Sequence, residues 1–308
     1  MRRAAIVSAL VFLAALIPAA SSASQDPGAY TVEVTAEVKH DQSGPLREAK
    51  AEAKRDKSFD HALKSTGGAP TPSAPDGALQ TSASTMASTQ PGGLNFAGVG
   101  NGDYGFAPNA APPDTNGATG ATQYVQWVNE SYAVFDKATG AVVLGPVGGS
   151  ALWKGFGGGC ETNNDGDPIV QYDKTANRWV LTQFSVTTTP YLQCVAVSTT
   201  ADATGTYNRY AFSYTDFNDY PKLGVWPDGY YMTWNMFRRG KTFSGPRVCA
   251  YDRNAMLNGA AATQQCFQLA TSQASLLPSD LDGSIAPPAG TPNLLLSKGT
   301  NALNLWKF

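Results

Sequence analysis

The sequence predicts an all-β chain, a β-propeller of four-stranded antiparallel blades, with about three and a half blades present. Three observations carry this. Short runs rich in Val, Ile, Tyr, Phe and Trp alternate with polar or glycine-containing turns. The runs group in fours, and a four-stranded meander is the unit of a propeller blade. The residues heading successive groups, Asp114, Asp167 and Tyr220, recur at an interval of 53 residues, a period that points to stacked supersecondary units.

In chain order, Met1-Arg2-Arg3, an apolar run from Ala4 to Ile17 and the small residues Ser21-Ser22-Ala23 read as a secretory signal peptide over 1–23. That run falls short of the ~20 residues that cross a bilayer, and no membrane span is expected in the mature chain. Residues 24–64 are a polar leader, partly helical or disordered. Within it Tyr30–Val34 is strand-like, and Leu46–Leu63 holds good helix formers but little apolar face. Residues 65–98 are a Ser/Thr/Pro/Gly/Ala-rich linker, too poor in large apolar side chains to offset the entropy of ordering. Order is expected to begin near Phe96, and the propeller to occupy 99–308.

The first blade is read from Gln123–Val128, Ser131–Phe135 and Ala141–Leu144, after the turn cluster Pro112–Gly117. The second is the best defined. Pro168–Tyr172 and Arg178–Ser185 form a hairpin, and Gln193–Ser198 and Tyr207–Tyr214 complete the meander. Lys222–Trp226, Tyr230–Asn235, Arg247–Tyr251 and Gln264–Leu269 make a third. Asp282-Gly283 is expected to open a fourth unit, whose strands Asn293–Ser297 and Ala302–Trp306 leave the blade half built. Three and a half blades do not close a ring, so the chain is expected to be the N-terminal portion of a longer protein.

The runs Pro112-Pro113-Asp114-Thr115-Asn116-Gly117-Ala118, Gln123-Tyr124-Val125-Gln126, Gly166-Asp167-Pro168-Ile169-Val170-Gln171-Tyr172-Asp173 and Gly224-Val225-Trp226-Pro227-Asp228-Gly229-Tyr230-Tyr231 resemble a group of secreted, largely uncharacterised bacterial proteins expected to be β-propellers. These are distantly similar to sialidase-like and other six- or seven-bladed folds. The resemblance covers about residues 100–308 and implies no particular reaction. The Ser-x-Asp-x-Gly-x-x-Trp repeats of sialidases are absent, and sialidase catalysis is not carried over.

Inventory removes several chemistries. A net charge of −2 gives no support to a nucleic-acid surface. The two histidines, His40 and His61, precede the expected propeller, which excludes a Ser-His-Asp triad or a His-ligated zinc inside it. The glycine run before Cys160 lacks the Gly-Lys-Ser/Thr ending of a phosphate cradle, and no nucleotide or organic cofactor is indicated. Four cysteines in an exported chain predict two disulfides. The pairing Cys160 with Cys194 and Cys249 with Cys266 is favoured, because each pair then lies within one blade.

Two candidate sites follow. Glu161, Asn163, Asp165 and Asp167, with Gly166 before the last, match the first half of a calcium loop, although Tyr172 stands where a bidentate Glu would complete an EF-hand. A calcium site in a β-loop is the expectation. Asp114, Asp167 and Asp219, at the starts of inner strands, are expected to converge with Glu161 and Asp165 at the mouth of the axial channel. Trp153, in a Gly-rich loop, is the candidate stacking face for a sugar. The expected function is a secreted monomer that binds an extracellular glycan or protein partner there, with calcium stabilising its fold. The alternative is an extracellular glycoside hydrolase or polysaccharide lyase using the candidate catalytic carboxylates Asp114, Asp167 and Asp219.

Overall fold

The computed structural model describes residues 30–48, 94–108, 110–283 and 285–308. The expected signal peptide over 1–23, the expected helical patch beyond Glu48 and the expected linker up to Gly93 lie outside the described residues. The chain divides after Tyr30, and Thr31–Phe308 forms one unit. Within it every strand pairing is antiparallel. Among the described residues no helix is long and apolar enough to cross a membrane.

The first two strands, β1 (Glu33–Ala36) and β2 (Lys39–Gln42), come from the leader. A first sheet follows with β3 (Asn116–Thr119), β4 (Gln123–Val128), β5 (Ser131–Asp136) and β6 (Val142–Gly148). The second holds β7 (Ile169–Asp173), β8 (Arg178–Ser185), β9 (Tyr191–Ser198) and β10 (Tyr207–Tyr214). The third holds β11 (Phe217–Val225), β12 (Tyr230–Arg238), β13 (Thr242–Tyr251) and β14 (Thr263–Gln268). The fourth has β15 (Leu277–Pro278), β16 (Leu294–Gly299) and β17 (Ala302–Lys307). Within each sheet these strands pair in chain order, so each sheet is a meander.

Strands β8, β9 and β12 are buried along almost their whole length because both faces of their sheets are covered. On β8, Trp179 and Leu181 join Val125, Trp127 and Tyr132 of the first sheet, while Val180 turns the other way to join Met232 and Trp234 of the third. Val248 and Phe267 of the third sheet meet Leu295 and Trp306 of the fourth. The outer face of the first sheet, Val128, Ala133 and Phe135, is covered by Phe96, Val99 and Phe106. Burying each such large side chain stabilises the fold by roughly 1.5–3 kcal/mol.

Both disulfides pair as favoured. Cys160 joins Cys194, with Cα atoms 5.9 Å apart, and Cys249 joins Cys266, directly across from it on the neighbouring strand at 4.1 Å. They mark a chain that matures in an oxidising compartment. The two loops span 34 and 17 residues. Removing either bridge is expected to cost about 3 kcal/mol. Cys160→Ala with Cys194→Ala should exceed Cys249→Ala with Cys266→Ala by ~0.6 kcal/mol, the increment for a doubled loop, measured by urea denaturation.

The leader departs from expectation. Instead of a solvated helix or a disordered spacer, it supplies β1 to the edge of the third sheet against β14, and β2 to the edge of the second against β10. Only Leu46–Glu48, a single helical turn, remains of the expected helix among the described residues. Leu46 is buried in the core between the first two sheets. The exclusion of histidine from the folded part fails with it. His40 lies in β2, where Nδ1 bonds Glu37 at 2.7 Å and the ring stacks on Tyr210. Neither contact brings it to the cleft described next.

Candidate functional site

Four residues with left-handed backbone mark the four sheets: Asp114 (φ 39°), Asp167 (φ 44°) and Ser275 (φ 53°) precede the first strands of theirs, and Tyr220 (φ 57°) sits within β11 where its register against β12 breaks. The 53-residue interval between the first three is thus a repeat of backbone conformation, and Ser275 follows Tyr220 by 55 residues. Asp282-Gly283 does not open the fourth unit as expected, because β15 already begins at Leu277. A side chain in the left-handed region costs about 1–2 kcal/mol, a cost that Asp tolerates better than most residues through local hydrogen bonding.

The first strands β3, β7, β11 and β15 lie side by side. The Val170 amide of β7 donates to Asn116 Oδ1 on β3 at 2.7 Å, and the Val225 amide of β11 donates to Asp280 beyond β15 at 2.7 Å. Gly224 lets the backbones of β11 and the Ser279 segment approach so closely that a Cβ there would overlap the Ser279 carbonyl. The strand starts enclose a cleft of ≈ 370 Å³, whose walls include Asp114, Asp167, Tyr220, Lys222, Gln171 and Leu277.

Electrostatics in this cleft are unusual. Burial pushes the Asp167 carboxyl up to about 7, and the negative charges of Asp114 and Asp219 push it the same way. Lys222 and the Tyr220 amide oppose the rise without cancelling it. Burial also lowers Lys222, against the pull of Asp167, Asp114 and Asp219. The Lys222 ammonium donates to the Pro221 carbonyl at 2.8 Å and sits 3.4 Å from the centre of the Tyr220 ring. Asp167 therefore titrates near neutral pH beside other carboxylates and one ammonium, a combination characteristic of functional sites.

Asn129 ties two of the heads together. Its amide donates to the Pro112 carbonyl at 2.5 Å and reaches Asp114 Oδ2 at 3.4 Å, while its Oδ1 packs on the Gly166 Cα beside Asp167. Asn235 stands at the same place in the third repeat, fifteen residues after its head, and bonds both the amide and the hydroxyl of Ser275. Gly166 has φ 92°, and a Cβ there would overlap Asn129 Oδ1. Gly166→Ala is accordingly expected to cost about 2–3 kcal/mol through backbone strain and overlap. Thermal unfolding checks this, and Ala at the open position Gly102 (φ 91°), which meets no neighbouring atom, isolates the strain alone.

The expected calcium loop is not assembled. Glu161 accepts from the Gly155 and Gly157 amides, which hold its carboxyl below the usual range. Asn163 turns its amide nitrogen to the Ser185 and Thr188 hydroxyls. Asp165 accepts from the Val186 and Thr187 amides and the Thr187 hydroxyl. Asp167 alone faces the cleft, so the four share no centre. Among the described residues no three His, Cys, Asp or Glu side chains group as a metal site. Glu161 and Asp165 likewise do not join Asp114, Asp167 and Asp219.

Trp153 is not a stacking face. It is fully buried, edge-on to Phe156 in the core between the first two sheets. The aromatic at the cleft is Tyr220, 39 % exposed. Lys222 was also missed by sequence reasoning, although a signal existed: it sits two residues after its head, as Asn116 and Ile169 do after theirs. Comparison of the chain with family models, with curated proteins and with solved structures finds no match, so the arrangement of Asp114, Asp167, Asp219 and Lys222 carries the functional argument by itself.

Proposed function

We propose that the four meanders are blades of a β-propeller, that their first strands run along its axis, and that the chain is a secreted protein binding an extracellular carbohydrate in the axial cleft. The carrying observation is the convergence of three repeat heads, the carboxyls of Asp114 and Asp167 and the ring of Tyr220, with Lys222 on one cleft. Carboxylates and an ammonium offer hydrogen bonds to sugar hydroxyls, whereas Ile169, Leu223, Leu277 and Pro278 form an apolar wall for the ring. Tyr220 adds an exposed aromatic face in place of Trp153. The two disulfides accord with an exported chain.

Glycan-array screening followed by calorimetry tests this. Asp114→Asn and Lys222→Met are each expected to weaken binding about tenfold, the worth of one charged hydrogen bond. Unchanged affinity in both variants sinks the assignment of the cleft. One observation favours a second reading, an acid–base glycoside hydrolase or lyase. A carboxyl titrating near 7 beside ionisable neighbours matches a general acid paired with a carboxylate. Release of reducing ends that disappears in Asp167→Asn would select this reading over plain binding.

A further inference from the structure

The leader docks on the body of the protein, residues 94–308, as a ligand docks on a finished surface. Among the described residues it gives the buried clusters a single side chain, Leu46, so the cores between the sheets close almost entirely without it. Both disulfides lie within the body, and the leader's covalent link to it is residues 49–93.

Main chain and charge hold the leader in place. Glu33–Ala36 pairs with β14 and Lys39–Gln42 with β10, each through four residues. Where the chain crosses from one sheet edge to the next, the Glu37 amide donates to the Ala262 carbonyl at 3.1 Å and the Val38 amide to the Ala211 carbonyl at 2.8 Å. Glu33, Glu37 and Asp41 stand four residues apart, and each carboxylate meets a donor of the body. Arg247 donates to Glu33 at 2.8 Å, the Ala262 amide to Glu37 at 2.9 Å, and Arg209 to both oxygens of Asp41. These donors are set in the surface: the Arg209 and Arg247 side chains are 4 and 14 % exposed. The body itself orients both, through the Leu152 and Lys154 carbonyls for Arg209 and the Tyr214 ring, 5.9 Å away, for Arg247.

Strand addition of this kind draws affinity from main-chain hydrogen bonds and specificity from side-chain seats. We propose that the adjoining edges of β14 and β10 form a strand-addition site for an extended polypeptide with carboxylates at four-residue spacing, and that the leader occupies it as a separable ligand. Its own contacts hold it there, so the covalent link is dispensable once the protein has folded. The site is distinct from the cleft, none of whose lining residues belongs to β10, β14 or the leader.

The test uses the whole chain, with a protease recognition sequence inserted between Glu48 and Leu94 and cut after folding. The leader is expected to stay with the body through gel filtration. An excess of labelled synthetic peptide of residues 30–48 should then replace it while the near-ultraviolet circular dichroism of the body is unchanged. The same peptide carrying Glu33→Gln, Glu37→Gln and Asp41→Asn should compete at least about tenfold less well, the worth of one charged hydrogen bond. That peptide alters no residue of the body, so a folding defect cannot produce the loss. A leader that falls away as soon as it is cut, or that exchanges only as the body unfolds, overturns the proposal. Equal competition by the neutralised peptide overturns the recognition of carboxylates.

Discussion

Replacing Arg209 by alanine is expected to destabilise the protein by about 2–3 kcal/mol, through loss of the charged hydrogen bonds of a buried guanidinium to a partly exposed aspartate and two carbonyls. Arg209 lies in β10 and is 3 % exposed. Its Nε and Nη2 donate to the two Asp41 oxygens at 2.8 and 2.7 Å, and Nη1 donates to the Leu152 and Lys154 carbonyls at 3.0 and 2.9 Å. The guanidinium also lies 5.3 Å from the centre of the Phe156 ring. One side chain thus joins β2, β10 and the glycine-rich loop ahead of Cys160. Alanine would strand an aspartate and two carbonyls at once. Arg209→Lys should recover only part of the loss, because an ammonium cannot reproduce the planar fork. Urea denaturation gives the magnitude, and hydrogen exchange localises it: amides of β2 should lose protection first. A loss below about 1 kcal/mol would mean that the leader strand holds by backbone pairing alone.

That leader strand marks the limit of what the sequence shows. Residues 33–42 are polar and short of apolar side chains, since an edge strand exposes most of its surface. Its pairing partners stand more than 160 residues away in β10 and β14, and local sequence carries no trace of them. By contrast, Ile169–Asp173 and Arg178–Ser185 were legible because the hairpin is local and its turn is polar. The disulfides were legible because each pair lies within one meander. The site divides in the same way. Asp114 and Asp167 could be found from the repeat, which fixes where each strand begins. Spacing identifies the oxygens of the expected calcium loop but not their partners, and backbone amides bond Glu161 and Asp165. Trp153 failed because flanking glycines suggested an exposed loop, whereas Gly149–Trp153 forms a short helical turn pressed into the core.

Raising the pH from 4 to 8 is expected to lower stability by about 2–4 kcal/mol through Asp167 alone, at up to ~1.4 kcal/mol per pH unit. The unfolded carboxyl titrates near 3.8 and the folded one near 7. Below 3.8 both states are protonated and the group has no effect. Between 3.8 and 7 the folded state holds a proton that the unfolded state has released, so each step upward in pH favours unfolding. Above 7 both are ionised and the full cost persists. The lower end of the range allows for water reaching the carboxyl from the cleft. Of the other described carboxyls with shifted values, Asp280 alone acts in the same direction. Glu161, Asp173 and Asp202 are held low, so their stability is lost only as pH falls through the acid range. Asp280 is raised by burial and adds a slope of the same sign, which must persist when Asp167 is changed. Asp167→Asn should therefore be more stable than the wild type at pH 8, indistinguishable from it near pH 4, and flatter between them. Urea denaturation at a series of pH values measures all three. If the variant keeps the full wild-type slope, Asp167 ionises at its ordinary value and the acid–base reading of the cleft loses its basis. If the slope flattens, stability is being spent to hold a neutral carboxyl among charged ones, which a purely structural aspartate at a strand start gives no reason to do.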